Sequence, residues 1–313
     1  MVLANRPYEG GVDLNETRFL IVGGDGLIGA ALGEAIVSKN GIATCTSMRR
    51  EAPEGALFLD LLDQASVDAL DASRFDIAYI CAGLSTYADV DANPSASRLI
   101  NVTNTLRLCD RLLDAGCSVV FLSTAAVFDG ESHCPDEASP VSPGTLYGRQ
   151  KAEVEALLMD RGRTAQGRVK IVRLTKVMAA NMPLIRGWRN SLARGQVITP
   201  FMDLQLSPVS LGYVVNSLLK IGLIGHSGIF HLSGNRDVTY AEIANELSLH
   251  WGYSPGLISA ISSTNSGVFL SYKPKFPSLG MTMTSKLAGI SPQLFDDCIA
   301  DLTDCELINC AAC

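Results

Sequence analysis

Tyr147 and Lys151 stand four residues apart in "TLYGRQKAEVEALL", a spacing that puts both side chains on one face of a helix. A phenol beside an ammonium is an acid–base device. Free tyrosine titrates at about 10, too high for easy proton exchange near neutrality, and an adjacent cation would lower that value. Residues 122–128, "LSTAAVF", close an apolar run and offer the hydroxyls of Ser123 and Thr124. If that run is a parallel strand, they stand at its carboxyl edge, where open α/β proteins place their chemistry.

A second set of residues suggests what the phenol would work on. In "FLIVGGDGLIGAALGEAI" the glycines Gly23, Gly26 and Gly29 follow an apolar run at three-residue spacing. Leu27, Ile28, Ala31, Leu32, Ala35 and Ile36 fall at helical spacing, so the glycines sit at a strand-to-helix turn. There Gly23 would permit the tight turn, Gly26 would let backbone approach a pyrophosphate at the helix N-terminus, and Gly29 would let the helix pack near the strand. The spacing is G-x-x-G-x-x-G, where the commoner dinucleotide fingerprint is G-x-G-x-x-G. After the second apolar run comes "TCTSMRRE", with Ser47, Arg49 and Arg50 where an acid would bind the ribose hydroxyls of NAD. Arginine there suits a 2′-phosphate, so the expected cofactor is NADP(H) ahead of NAD(H); an exposed basic pair on a surface turn is the alternative. Asp60 and Leu61, ending the third run, would lie near the adenine. A nicotinamide cation would add to Lys151 in lowering the Tyr147 pKa.

The elements that must position these residues alternate. "RFLIVG", "GIATCTS", "ALFLD", "DIAYICAG", "SVVFLS" and "VKIVRL" read as strands with helical patterns between them, which argues for parallel βαβ units. One long helix is expected from Asn93, as cap, and Pro94, in the first turn, to Gly116. Residues 129–144 form a proline- and acid-rich loop longer than a simple connection needs, and long ordered loops tend to be functional. The second half is less regular: a helix from about Val209, a strand in "GIFHLSG", a helix in "TYAEIANELSLHWG" and an irregular remainder.

Composition sets outer limits. The chain has 313 residues, 47% hydrophobic and 18% charged, with a net charge of −7 and no basic run, so a nucleic-acid role has no support. No stretch reads as a membrane span or a secretion signal, and a cytoplasmic protein without membrane partners is expected. The nine cysteines lack the spacing of a disulfide framework, and the terminal Cys310-Ala-Ala-Cys313 with Cys305 has no second ligand pair, so no metal site is expected. His133, His226, His231 and His250 show no partner pattern. Arg173, Arg186 and Arg189 could meet substrate phosphates or be solvated or ion-paired.

The set "GGDGLIG", "CAG" at 81–83, Asn101, "LSTAAVFDG", "YGRQK" and "SPVSLGYVV" resembles the extended short-chain dehydrogenase/reductases, and within them the dTDP-4-dehydrorhamnose reductase group. The resemblance implies an α/β, Rossmann-type doubly wound parallel sheet with a smaller C-terminal substrate-binding lobe. Residues 14–174 would form the NADP-binding domain, with 205–235 returning to it, and 175–313 mainly the lobe. It implies a triad of Thr124, Tyr147 and Lys151, and a cofactor lying along Gly23, Gly26, Leu27, Ile28, Gly29, Cys81, Ala82 and Gly83 with Tyr147 and Lys151 beside it. Asn101 is the asparagine with which similar proteins brace the active-site backbone, or a hydrogen-bonded helix residue. One departure matters: the reductase group usually carries Asp-Tyr directly after the threonine, and related dehydratases an Asp-Glu pair, whereas this chain has Ala125-Ala126. Simple ketone reduction, with the proton from Tyr147, is the reaction these alanines leave intact. The expected substrate is a nucleotide sugar or similar polar ketone. An NAD(P)-dependent nucleotide-sugar epimerase and a non-catalytic NADP-binding regulatory subunit are the alternatives, and a homodimer stays open.

Overall fold

Along Arg18–Val22 the side chains alternate between two layers, Phe19 and Ile21 into one apolar core and Leu20 and Val22 into another. A strand buried on both faces belongs in the middle of a covered parallel sheet. The computed structural model describes residues 14–49, 51, 55–267 and 270–304; Arg50, Cys305, Cys310 and Cys313 lie outside the described residues.

The first half runs β1 (Arg18–Val22), α1 (Leu27–Ser38), β2 (Ile42–Ser47), β3 (Leu57–Phe58), α2 (Gln64–Asp68), β4 (Ile77–Ile80), α3 (Tyr87–Ala92), α4 (Pro94–Arg98), α5 (Thr105–Asp114) and β5 (Ser118–Thr124). Then come α6 (Leu146–Gly162), β6 (Val169–Leu174), β7 (Lys176–Met178), α7 (Pro183–Ala193), β8 (Gln205–Leu206), β9 (Pro208–Ser210) and α8 (Leu211–Gly222). The chain continues through β10 (Gly228–Leu232), β11 (Val238–Thr239), α9 (Tyr240–His250), α10 (Thr282–Ala288) and α11 (Phe295–Thr303). Seven strands form one sheet in the order β10-β6-β5-β4-β1-β2-β3, every pairing parallel. The strand order reverses between β1 and β4, so the crevice at their carboxyl ends is the natural ligand position of this Rossmann sheet.

One core, with Phe121, Leu108, Val154 and Leu158, lies under α5 and α6. The other, with Leu32, Ile36, Leu218 and Phe230, lies under α1 and α8, and Met281 and Ile290 join it. A third core gathers Ile185, Ile243, Leu247 and Phe295 from α7, α9 and α11, with Met178 of β7 and Leu206 of β8, away from the seven-stranded sheet. Among the described residues no helix is long and apolar enough to cross a membrane.

Three local expectations need correction. The long helix from residue 93 runs on to Asp114 but is not α-helical throughout: Leu99–Asn104 form a π-helical stretch between α4 and α5, and the Asn93 side chain makes no cap bond. Extra-wide turns of this kind re-aim one side chain, here Asn101. The third strand stops at Phe58, before Asp60, although Leu59 N still donates to Ser47 O at 2.9 Å. The helix expected from Val209 starts at Leu211, because residues 208–210 pair with β7 and Ser210 Oγ caps Tyr213 N at 3.2 Å.

Candidate active site

The glycine turn is built from backbone. Gly23 has φ +88, and a Cβ there would fall 2.8 Å from Ala82 N. A Cβ on Gly29 would overlap the Gly23 carbonyl, so α1 starts close against the end of β1. Gly24, passed over in the sequence, is equally tight: a Cβ would stand 2.6 Å from Cys45 Cβ. Gly26 differs, since a Cβ would meet only Gly23 O at 3.4 Å and no side chain caps α1. The first-turn N–H groups, Leu27 and Ile28 among them, therefore face outward without a side-chain partner, the arrangement that binds an anion at a helix N-terminus. Cys81 N and Ala82 N both donate to Val22 O, and Gly83 lies beside Asn101 Oδ1 and Lys151 Nζ, 3.2 and 3.7 Å from where its Cβ would be.

At the end of β2, Ser47 is buried and donates to Asp25 Oδ2 at 2.5 Å while accepting from Arg49 N at 3.0 Å. Asp25, inside the glycine turn, thus brings a carboxylate to the place where the sequence shows none. Arg49 is exposed. Asp60 Oδ1 accepts from Leu62 N at 2.8 Å, and Leu61 is held through its carbonyl by Asn104 Nδ2 at 2.8 Å.

The chemistry end forms where β5 meets α6. Thr145 Oγ1 caps α6 by accepting from Gly148 N at 3.0 Å, and a Cβ on Gly148 would overlap the Ala126 carbonyl. That contact seats the first helical turn, with Tyr147, against the strand end carrying Thr124. Thr124 Oγ1 accepts from Ala126 N at 3.1 Å. One turn along, Lys151 Nζ donates to Leu122 O at 2.8 Å and sits 4.4 Å from the Phe121 ring centroid and 5.9 Å from that of Tyr147. Burial pulls the ammonium down to about 8, while the Glu155 carboxylate works to keep it charged. Asn101 ties the parts together: its side chain bonds both N and O of Leu84, at 2.8 and 2.9 Å, and Gln150 Oε1 at 2.8 Å.

Tyr147 departs from expectation. Its phenol is pushed above the ordinary value, first by burial and then by Tyr87, whose ring meets it edge-on at 5.8 Å. The Lys151 ammonium donates to the strand carbonyl of Leu122, and burial followed by Tyr87 sets the direction of the shift. The proton is therefore firmly held at neutral pH.

A cleft of about 620 Å³ opens beside this cluster, lined by Thr124 together with Tyr87, Asp91, Lys176, Gln205, Tyr240 and Tyr272 among others. Its outer wall is residues 270–277, held by the 129–144 loop. Gly130 O accepts from Lys275 N and Phe276 N, Tyr272 Oη donates to Phe128 O at 3.2 Å, and the Glu137 carboxylate accepts from Met283 N and Thr284 N.

Other candidates stand elsewhere. Ser123 donates to Glu155 Oε1 at 2.5 Å, on the buried side of the strand. Arg173 is no phosphate ligand: it pairs in bidentate fashion with Glu155, at 2.7 Å from Nη2, both side chains nearly inaccessible. Arg189 lies over the Trp251 ring at 5.9 Å, and neither it nor Arg186 lines the cleft. His231 is buried between Arg173 and Gly280 O, and burial pushes it down to about 4.

Residues 17–306 match the RmlD substrate-binding domain. The chain belongs to that family. This RmlD-family chain is 26% identical over 241 residues to a probable low-salt glycan biosynthesis reductase, Agl14, of Haloferax volcanii, covering 72% of this chain and 78% of that one. It is 25% identical over 253 residues to methionine adenosyltransferase 2 subunit beta of Rattus norvegicus, covering 74% and 72%. Its fold superimposes on a dTDP-4-dehydrorhamnose reductase of Bacillus anthracis str. Ames in complex with NADP, with TM-score 0.77, 18% identity and coverage of 92% and 98%.

The RmlD-family site also contains residues the sequence left unmarked: Asp25, Tyr87, Glu155, Lys176 and Tyr272. Lys176 had a usable signal, since it follows the carboxyl end of a parallel strand by two residues. Tyr87 and Tyr272 had none.

Proposed function

We propose that the protein reduces a ketone on a nucleotide-linked sugar or comparably polar metabolite, with NADP(H) as preferred cofactor. In this reading residues 14–174 and 205–235 hold the nucleotide and the rest chiefly the substrate. The observation that carries it is the seating of Tyr147 and Lys151, on the first turns of α6, against the carboxyl end of β5 that presents Thr124 to the cleft, with Tyr147 touching Tyr87 of the cleft lining. A dinucleotide fits the glycine turn, because Gly26 is open on its outer side and α1 has no side-chain cap. When bound, the nicotinamide supplies the hydride.

The chain's own residues do the rest. Tyr147, whose burial keeps it protonated, donates its proton to the ketone oxygen, and the Thr124 hydroxyl hydrogen-bonds that oxygen. Lys151 holds its charge below about pH 8 and steadies the cofactor ribose. Ala125 and Ala126 offer no acid or base for water loss, which supports reduction without dehydration. The exposed Arg49 supports NADP(H), against the opposing charge of Asp25.

The test is NADPH oxidation with a panel of 4-keto nucleotide sugars, monitored by absorbance and product mass. Tyr147→Phe should lower turnover by roughly a hundredfold or more with cofactor affinity within about twofold. Loss of water from an unmodified sugar without net NADPH consumption would instead mean a dehydratase. A non-catalytic cofactor-holding subunit is the second reading, favoured by the Tyr87 ring against Tyr147 and by the likeness to methionine adenosyltransferase 2 subunit beta; it requires that no ketone in the panel be turned over.

A further inference from the structure

Around the substrate cleft nearly every cation is committed. Lys151 points inward to Leu122 O, Arg173 is locked on Glu155, and Lys273 Nζ lies 3.0 Å from both Asp203 Oδ2 and Ser263 Oγ. Lys275 sits over Phe276, and Arg189 over Trp251. Lys176 stands apart. Its backbone is fixed on both sides, by N donating to Ser207 O at 3.1 Å and by the pairing of β7 with β9. Its side chain lines the cleft together with Thr124, yet its ammonium has no hydrogen bond, ion pair or ring partner among the described residues.

Lys176 is exposed at the mouth of the cleft, and desolvation by the walls still holds its ammonium below the ordinary lysine value. The cleft provides little competition. Asp91 is the acid on its lining, without a bond to Lys176, and the remaining lining is neutral, much of it tyrosine, leucine and proline. One fixed positive charge in a neutral, mainly apolar cleft selects one anionic group on an otherwise uncharged body.

We infer that Lys176 is the anion anchor of the cleft, taking an oxygen anion of the substrate and so setting where its ketone lies relative to Thr124 and Tyr147. This rests on the reductase reading for the word substrate, though not for the binding itself. The anion is either a phosphate of a nucleotide carrier or a carboxylate on an acidic ketone; both present the charged oxygens that an ammonium binds.

Binding to the full-length chain tests this without turnover. Titration calorimetry with thymidine diphosphate, inorganic pyrophosphate and 2-oxoglutarate asks which oxygen anion is taken. Lys176→Met keeps the length and apolar stem of the side chain; it should weaken the bound anion by about tenfold to a hundredfold, as expected for loss of a charge-assisted bond. Lys176→Arg should stay within about threefold of the parent, and NADPH affinity should be the same in all three proteins. Preference for the two phosphates assigns a nucleotide carrier; preference for 2-oxoglutarate assigns a carboxylate. Equal anion affinity in the parent and Lys176→Met overturns the inference, as does failure of all three anions to bind the parent. Tyr147→Phe separates this from the catalytic proposal, because it should remove turnover and leave anion binding unchanged. If no ketone is turned over while anion binding still depends on Lys176, the reductase reading fails and the anchor stands.

Discussion

The nucleotide end of the site is shaped by backbone and the substrate cleft by side chains. At the glycine turn, four glycines between residues 23 and 29 fix the path of one short segment, and the neighbours they touch are mostly main-chain atoms of Gly23, Gly24, Thr46 and Ala82. The cleft draws Tyr87, Thr124, Lys176, Gln205, Tyr240 and Tyr272 from segments that meet only in the folded chain. A surface made of backbone tolerates side-chain change but not added volume. One made of side chains can be re-specified one residue at a time.

The buried pair Glu155–Arg173 belongs to neither end and supports both, through Ser123 on β5 and the position one turn after Lys151 on α6. Glu155→Ala leaves the Arg173 charge buried and unpaired, and should lower stability by about 3–5 kcal/mol, read as a fall in the urea midpoint with unchanged slope. An unaltered midpoint would show that the two ends stand independently.

Gly29→Ala probes the backbone end alone. The added Cβ meets the Gly23 carbonyl, so α1 must move, and a cost of about 1–3 kcal/mol should appear as weaker cofactor binding by fluorescence titration. Anion affinity in the cleft should stay as it was; a matching loss there would break the division between the two ends.

Cofactor choice is the exception at the nucleotide end, because it turns on side chains. Arg49→Ala should reduce the preference for NADPH over NADH by about tenfold, the size of one charge-assisted contact. Asp25→Asn removes the opposing carboxylate bonded to Ser47 and should raise that preference by a few fold. Equal binding of both cofactors by the parent would remove Arg49 from this role.

The smallest effect concerns pH. Lys151 titrates at about 8 in the fold against 10.5 as a free side chain. Between those values the unfolded chain holds a proton that the folded chain has released, so stability rises with pH across that window. The charge itself is lost above about 8, and kcat/KM should fall on an alkaline limb there. Lys151→Arg should move that limb out of range, whatever activity it retains.

What could be seen in the sequence follows the same division. The glycine turn, the Tyr147–Lys151 spacing and the alternation of strands with helices depend on residues near one another in the chain, and local periodicity reveals them. Ser123 and Thr124 illustrate the limit: successive strand residues face opposite sides, so the two hydroxyls could not both serve the cleft, and only the packing of α6 decides that Ser123 turns to Glu155. The π-helical stretch after Arg98 escapes a propensity argument; it carries Asn101, whose side chain reaches Leu84 and Gln150. Tyr87 and Tyr272 acquire their positions from tertiary contacts alone, and a lone tyrosine carries no local mark of them, whereas Lys176 was legible only through its place just after the end of β6.

The clasp between the 129–144 loop and residues 272–284 has a consequence for how the molecule is made. A chain leaving the ribosome has the glycine turn, β1, β2 and β4 complete once Gly83 has emerged, and domains tend to form in that order during synthesis. The cleft wall, with Tyr272 and the backbone that satisfies Gly130 O and Glu137, comes out some 190 residues later. A message cut short before residue 270 would therefore yield a nascent protein with the cofactor turn in place and one side of the cleft never assembled.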